Sequence, residues 1–159
     1  MPDFRWPPGY EPERSPLDVR NEIRIEAPPP VVWAWLVAAE RWPSYYRNSA
    51  RVRVEGGGDL RPGVRFSWWT FGVRVSSRVR EFEPPERLAW DAKEIGAAGY
   101  HAWLLLRDGD GTHVVTEETQ HGPAMVVGRL AVAPLMRHFH QRWLEGLARA
   151  ARGRSPERR

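Results

Sequence analysis

The clearest periodicity in the chain lies between Ala50 and Gln120, where apolar and polar residues alternate in short runs separated by turn residues. A period of two marks strands with one covered face. It predicts strands near 50–55, 63–70, 73–83, 87–94, 99–107 and 112–120. The breakers are Gly56 to Gly58, Phe71-Gly72, Glu83-Pro84-Pro85-Glu86, Gly96 and Asp108-Gly109-Asp110-Gly111. Links this short favour an antiparallel meander. An earlier alternation, Ile23, Ile25 and Ala27, predicts a first strand. Pro28 to Pro30 then open a helix, a position where a missing N–H costs nothing. That helix is expected over 31–40, with Val32, Trp33, Leu36 and Ala39 at helical spacing and Arg41-Trp42-Pro43 as its stop. After Gly122-Pro123 the pattern is helical again. Pro134 is expected to divide it into 124–133 and 135–152, the second piece carrying a seam of Phe139, Trp143 and Leu147. Strand, helix, six strands and a long helix predict an α+β fold, one curved antiparallel sheet of about seven strands wrapped around the C-terminal helix.

Turn lengths set the register. A two-residue loop at Phe71-Gly72 pairs Thr70 with Val73 and Trp68 with Val75. A loop from Glu83 to Glu86 puts Val79 opposite Trp90, and a six-residue connection over 94–99 puts Trp90 beside Trp103. A loop from Asp108 to Gly111 sets Trp103 opposite Thr116 and His101 opposite Glu118. Residues directly opposite share a face. One face then gathers Phe66, Trp68, Thr70, Ser77, Trp90, His101, Trp103, Thr116 and Glu118; the other carries Arg65, Arg74, Arg78, Arg80, Asp91, Lys93, Arg107, His113 and Glu117. Large aromatic walls with a few convergent polar groups are what a small-molecule pocket needs, whereas a sheet packed flat on a helix is dry. Trp69, Phe71, Tyr100, Leu104 and Leu106 fall on the wet face, which calls for cover by the N-terminal arm or by another protein.

Composition narrows the classes. The 159 residues suffice for one domain. Residues 1–20 hold five prolines and read as an arm, 21–153 as the folded domain and 154–159 as a charged tail. The absence of cysteine excludes disulfides, thiolate metal sites and cysteine nucleophiles. The net charge is only +4, and Lys93 is the single lysine beside 23 arginines. Arg137, Arg142, Arg149 and Arg152 read as the wet side of a helix, so no nucleic-acid partner is expected. The longest apolar run, Val31 to Ala39, is far short of the roughly twenty residues of a spanning helix, and the N-terminus has no signal-peptide pattern. A cytoplasmic protein without stable membrane insertion is the expectation.

The order of elements, with Ile25-Glu-Ala-Pro-Pro-Pro-Val-Val-Trp33, Glu40-Arg-Trp-Pro43, Glu81-Phe-Glu-Pro-Pro-Glu-Arg-Leu-Ala-Trp90 and Gly111-Thr-His-Val-Val115, resembles the START-like (SRPBCC) superfamily over roughly residues 20–152. The nearest branch is that of polyketide cyclases/dehydrases and lipid transport. The resemblance implies a helix-grip fold with a deep cavity between sheet and C-terminal helix. Its members bind lipids, sterols, polyketides or other hydrophobic molecules, and some are aromatase/cyclases. The superfamily shares no universal catalytic signature, so it implies no catalytic residue.

The expected function is binding or carriage of a small hydrophobic molecule, aromatic, polyketide-like or lipid-like. Phe66, Trp68, Trp90 and Trp103 are the expected walls. Ser77, His101, Thr116 and Glu118 are the expected polar contacts, and Met136 and Phe139 the cover of the mouth. The alternative is an aromatase/cyclase- or dehydratase-type enzyme in which His101 moves a proton and Glu118 orients it. A third reading is a homodimer contact through Trp69, Phe71 and Leu104. No cofactor is expected. His138 and His140 stand two apart on a helix, off a common face and with no carboxylate cluster near them in sequence, so no metal site is expected there. Asp108 to Thr119 lacks the glycine and the glutamate of a calcium loop.

Overall fold

The computed structural model describes residues 3–153 and 156. Seven antiparallel strands form one sheet in the order β1-β7-β6-β5-β4-β3-β2. They are β1 (Leu17–Ile25), β2 (Ala50–Val54), β3 (Arg65–Thr70), β4 (Val73–Glu83), β5 (Arg87–Glu94), β6 (Ala97–Asp108) and β7 (Gly111–His121). The helix α1 (Pro29–Val37) leads into a 3-10 segment (Ala39–Ser44), and α2 (Pro123–Ala151) closes the chain. This is the expected α+β helix-grip architecture. Among the described residues, no helix is long and apolar enough to cross a membrane.

The registers follow the turn arithmetic with two adjustments. Thr70↔Val73, Trp68↔Val75, Val79↔Trp90, Trp103↔Thr116 and His101↔Glu118 all pair as expected. A bulge between Val79 and Glu81 absorbs one residue near the β4–β5 turn. The β5–β6 link is a two-residue turn, Ile95-Gly96, so Trp90 pairs with His101 and Leu88 with Trp103. The expected Trp90 and Trp103 pairing is therefore corrected by two positions. An even shift keeps every side chain on its face, which is why the inner surface survived it.

Three other expectations differ. β1 begins at Leu17, inside the expected arm. Its alternation was masked by Asn21, an inward polar residue whose amide donates to Arg137 O at 3.1 Å and Gln141 Oε1 at 3.0 Å. α1 ends at Val37, and the segment expected to stop it is a 3-10 helix that carries Trp42 into the core. Trp42 Nε1 donates to Leu36 O at 2.9 Å. Pro134 does not divide α2, which is continuous. Pro134 and Leu130, whose carbonyl loses its helical donor, are both exposed, on a side of α2 that no other element covers tightly.

The arm covers the outer face. Phe4 packs with Ala89, Tyr100, Ala102, Leu104 and Val115, flanked by Trp6, Tyr10 and Leu106. Arg87 donates to Asp3 O at 3.0 Å, and Thr119 Oγ1 to Tyr10 O at 2.9 Å. The three residues expected to form a dimer patch differ in their surroundings. Leu104 is buried under the arm, Phe71 is partly buried against Phe139 of α2 at 5.3 Å, and Trp69 is exposed. Most of the expected charged tail lies outside the described residues.

Candidate functional site

Between the concave face and α2 the interior has two halves of different character. One is solid. Trp42 contacts Phe66, Trp68, Trp90 and Trp143 at ring separations of 5.8, 5.4, 5.5 and 4.9 Å. Trp103 adds a contact to Trp143 at 5.0 Å, and Tyr46 stacks on Trp143 at 4.6 Å. This plug fills the space where a deeper pocket would lie. The other half is hollow, a cavity of about 270 Å³ bounded by β3 to β7 and α2. Its walls are mainly apolar: Trp68, Val75, Trp90, Ala92, Met125 and Met136. Val73, Ile95 and Leu135 line it and are also exposed, so they form its rim.

A polar cluster closes the inner end. His101 projects from β6, Glu118 from the facing position on β7, and His140 from α2. His101 Nδ1 lies 3.2 Å and His140 Nε2 3.1 Å from the same oxygen, Glu118 Oε2. Gln120 Nε2 donates to the other oxygen, Oε1, at 2.7 Å. Behind His101, Nε2 meets Thr116 Oγ1 at 2.7 Å, and that hydroxyl donates to Ala102 O at 3.1 Å. The two imidazoles stack at 4.9 Å. Burial disfavours the charged form of His101 and holds its pKa well below the usual range, with Glu118 opposing and His140 reinforcing the shift. Burial by itself pushes the Glu118 carboxyl up. The two histidines and Gln120 outweigh that and keep it ionised, below the usual carboxylate range. Burial also raises the Tyr46 phenol, against a bond from Asn48 and with the Glu118 charge adding to the rise.

Five of the expected contact residues line this cavity: Trp68, Trp90, His101, Glu118 and Met136. The others serve it from outside or not at all. Thr116 positions His101, and Trp103 stacks behind the same ring at 5.1 Å. Phe66 belongs to the plug. Ser77 is buried between β3 and β5 away from the cavity, and Phe139 supports Phe71 and faces a separate groove with Tyr45 and Arg142. Sequence reasoning missed Tyr46, Phe71, Gln120 and His140 in the walls. For Gln120 the signal was present, since it follows Glu118 at strand period two. For His140 it lay in the helical seam with Met136 and Trp143, at spacings of four and three. Trp68 and Trp90 each keep a buried indole N–H with no hydrogen-bond partner.

A curved sheet gripping a long helix over an apolar, polar-ended hollow defines a hydrophobic-ligand-binding fold. The chain belongs to the family described as polyketide cyclase / dehydrase and lipid transport, whose model matches residues 16–152. A hypothetical protein of Helicobacter pylori, jhp0584, is similar at 31% identity, with 95% of this chain and 97% of that one covered and a TM-score of 0.86. TTHA0849 of Thermus thermophilus is similar at 23% identity, with 84% and 96% covered and a TM-score of 0.72. The Zhui aromatase/cyclase of Streptomyces sp. R1128 shares the fold at 16% identity, with 85% and 93% covered and a TM-score of 0.70. No curated protein matches significantly.

Proposed function

We propose that the protein binds and carries a small hydrophobic molecule, aromatic or polyketide- or lipid-like, in the hollow between sheet and α2. The observation that carries this reading is an apolar cavity of about 270 Å³ ending on the buried His101, Glu118 and His140. The volume is near the lower end of ligand sites, so the cargo is compact. Its apolar body lies against Trp68, Trp90 and Met136. Its polar end accepts from an unpartnered indole N–H or meets the histidines, because an unmet buried polar group costs about 1–3 kcal/mol. Family membership supports the class of ligand.

Native mass spectrometry of freshly purified protein tests this directly, with a co-purified compound expected. In parallel, 1-anilinonaphthalene-8-sulfonate is expected to bind saturably at one site. Finding neither a retained compound nor saturable probe binding would sink the reading.

The same polar cluster favours a second reading, a cyclase- or dehydratase-type enzyme in which His101 moves a proton and Glu118 orients it. His101→Ala separates the two. A carrier loses a modest part of its affinity; an enzyme keeps binding and loses turnover of an aromatic polyketide substrate.

A further inference from the structure

Two ring nitrogens converge on one carboxylate oxygen: His101 Nδ1 lies 3.2 Å and His140 Nε2 3.1 Å from Glu118 Oε2. The other nitrogen of His101, Nε2, is 2.7 Å from Thr116 Oγ1, a contact in which either the ring N–H or the hydroxyl donates according to the tautomer. The carboxylate is oriented from outside the cluster by Gln120, and His140 Nε2 approaches the same Oε2. All three residues are more than nine-tenths buried, and their nitrogen and oxygen atoms lie within 4.8 Å of one another.

We propose that His101 Nδ1, Glu118 Oε2 and His140 Nε2 form a binding site for one divalent first-row transition ion whose open coordination positions face the cavity. The geometry fits a common ion. Ligands about 2.1 Å from a metal, at octahedral to tetrahedral angles, stand about 3.0–3.4 Å apart. The separations of His101 Nδ1 and His140 Nε2 from Glu118 Oε2, 3.2 and 3.1 Å, fall in that interval. Two imidazoles and one carboxylate suit zinc or ferrous iron rather than the hard ions calcium and magnesium. The outer partners are those a metal site uses: with an ion on Nδ1, the His101 Nε2–H donates to Thr116 Oγ1, and Gln120 holds the carboxylate. An ion satisfies both nitrogens and the shared oxygen together. Because all three residues line the cavity, its free positions face an oxygen donor on the cargo, such as a carbonyl or enolate. The inference rests on the carrier reading only for that last point.

The test uses the full chain, stripped with EDTA and titrated with cobalt(II) chloride without organic ligand. One equivalent is expected to bind, with visible d–d absorption that zinc(II) abolishes. Thr116→Val, which touches the site only through His101, is expected to weaken cobalt binding by about 10–100-fold, the usual effect of losing an outer partner. Glu118→Gln and His140→Ala are expected to weaken it further, and His138→Ala, an exposed neighbour, leaves it unchanged. If circular dichroism shows His140→Ala unfolded, Glu118→Gln and Thr116→Val carry the comparison. The site is overturned if no d–d band forms at millimolar cobalt. It is equally overturned if binding persists undiminished in Glu118→Gln and Thr116→Val, or disappears in His138→Ala. Cobalt failure with intact anilinonaphthalene binding removes the ion site alone, and the reverse pattern removes only the carrier reading.

Discussion

His140 Nε2 on α2 lies 3.1 Å from Glu118 Oε2 on β7, so the helix and the sheet it closes are joined by a polar contact at the inner end of an apolar cavity. Trp143, one helical turn further on, makes aromatic contacts instead, reaching Trp68, Trp90 and Trp103. The polar contact therefore marks where the solid half of the interior gives way to the hollow half.

Ala92 offers a way to fill the hollow without touching that contact. It lines the cavity from β5 beside Trp90. Ala92→Phe is expected to abolish anilinonaphthalene binding while shifting stability by less than the ~1–3 kcal/mol that overpacking a closed core costs. Probe titration and thermal melting check it; retained binding at wild-type affinity would show that the probe sits elsewhere.

Gly146 is a helix-interior glycine that propensity alone would replace by alanine, at a gain of about 0.8–1 kcal/mol. Here a Cβ would fall inside contact distance of the Tyr45 carbonyl oxygen. Gly146→Ala is expected to destabilise the protein by about 1–3 kcal/mol, because α2 must move away from the segment that positions Trp42. Denaturant unfolding measures this, and a raised midpoint would contradict it.

The N-terminal arm contributes to stability through Phe4, which is only 8% exposed on the outer face of the sheet. Phe4→Ala is expected to cost about 1.5–3 kcal/mol, the value of burying one such side chain. The same variant should hasten proteolysis of the arm. An unchanged unfolding midpoint would mean that the arm is docked without contributing to stability.

Glu117, on the outer face, supplies a pH dependence. Burial and then the neighbouring Asp18 carboxyl raise its pKa to about 7, against the opposing charge of Arg20. The folded state thus holds a proton that the unfolded chain has released, from the ordinary carboxyl range up to about pH 7. Stability must fall as pH rises through that window. The melting temperature is expected to drop between about pH 5 and about pH 8, and less so in Glu117→Gln. A wild-type profile as flat as the variant's would refute the raised pKa.

Much of this protein was legible along the chain. Period-two alternation and turn lengths identified the strands from Ala50 onward and put Trp68, Trp90, His101 and Glu118 on one face, because an error of two residues in a turn leaves faces unchanged. The family resemblance pointed to the same fold. The misreadings have local causes: Asn21 hid the start of β1, and Pro134, on the exposed side of α2, left the helix continuous.

Local patterning was enough to specify the sheet, its inner face and the facing of His101 and Glu118, since these depend on neighbours joined by short turns. What that face encloses was settled by packing between distant elements. Trp42 and Trp143, remote in sequence from each other, meet at 4.9 Å and fill one half of the interior. His140 arrives from α2 to complete a cluster whose other members are on β6 and β7. Contacts between separate elements depend on how a helix seats against a curved sheet, and no local period encodes that seating.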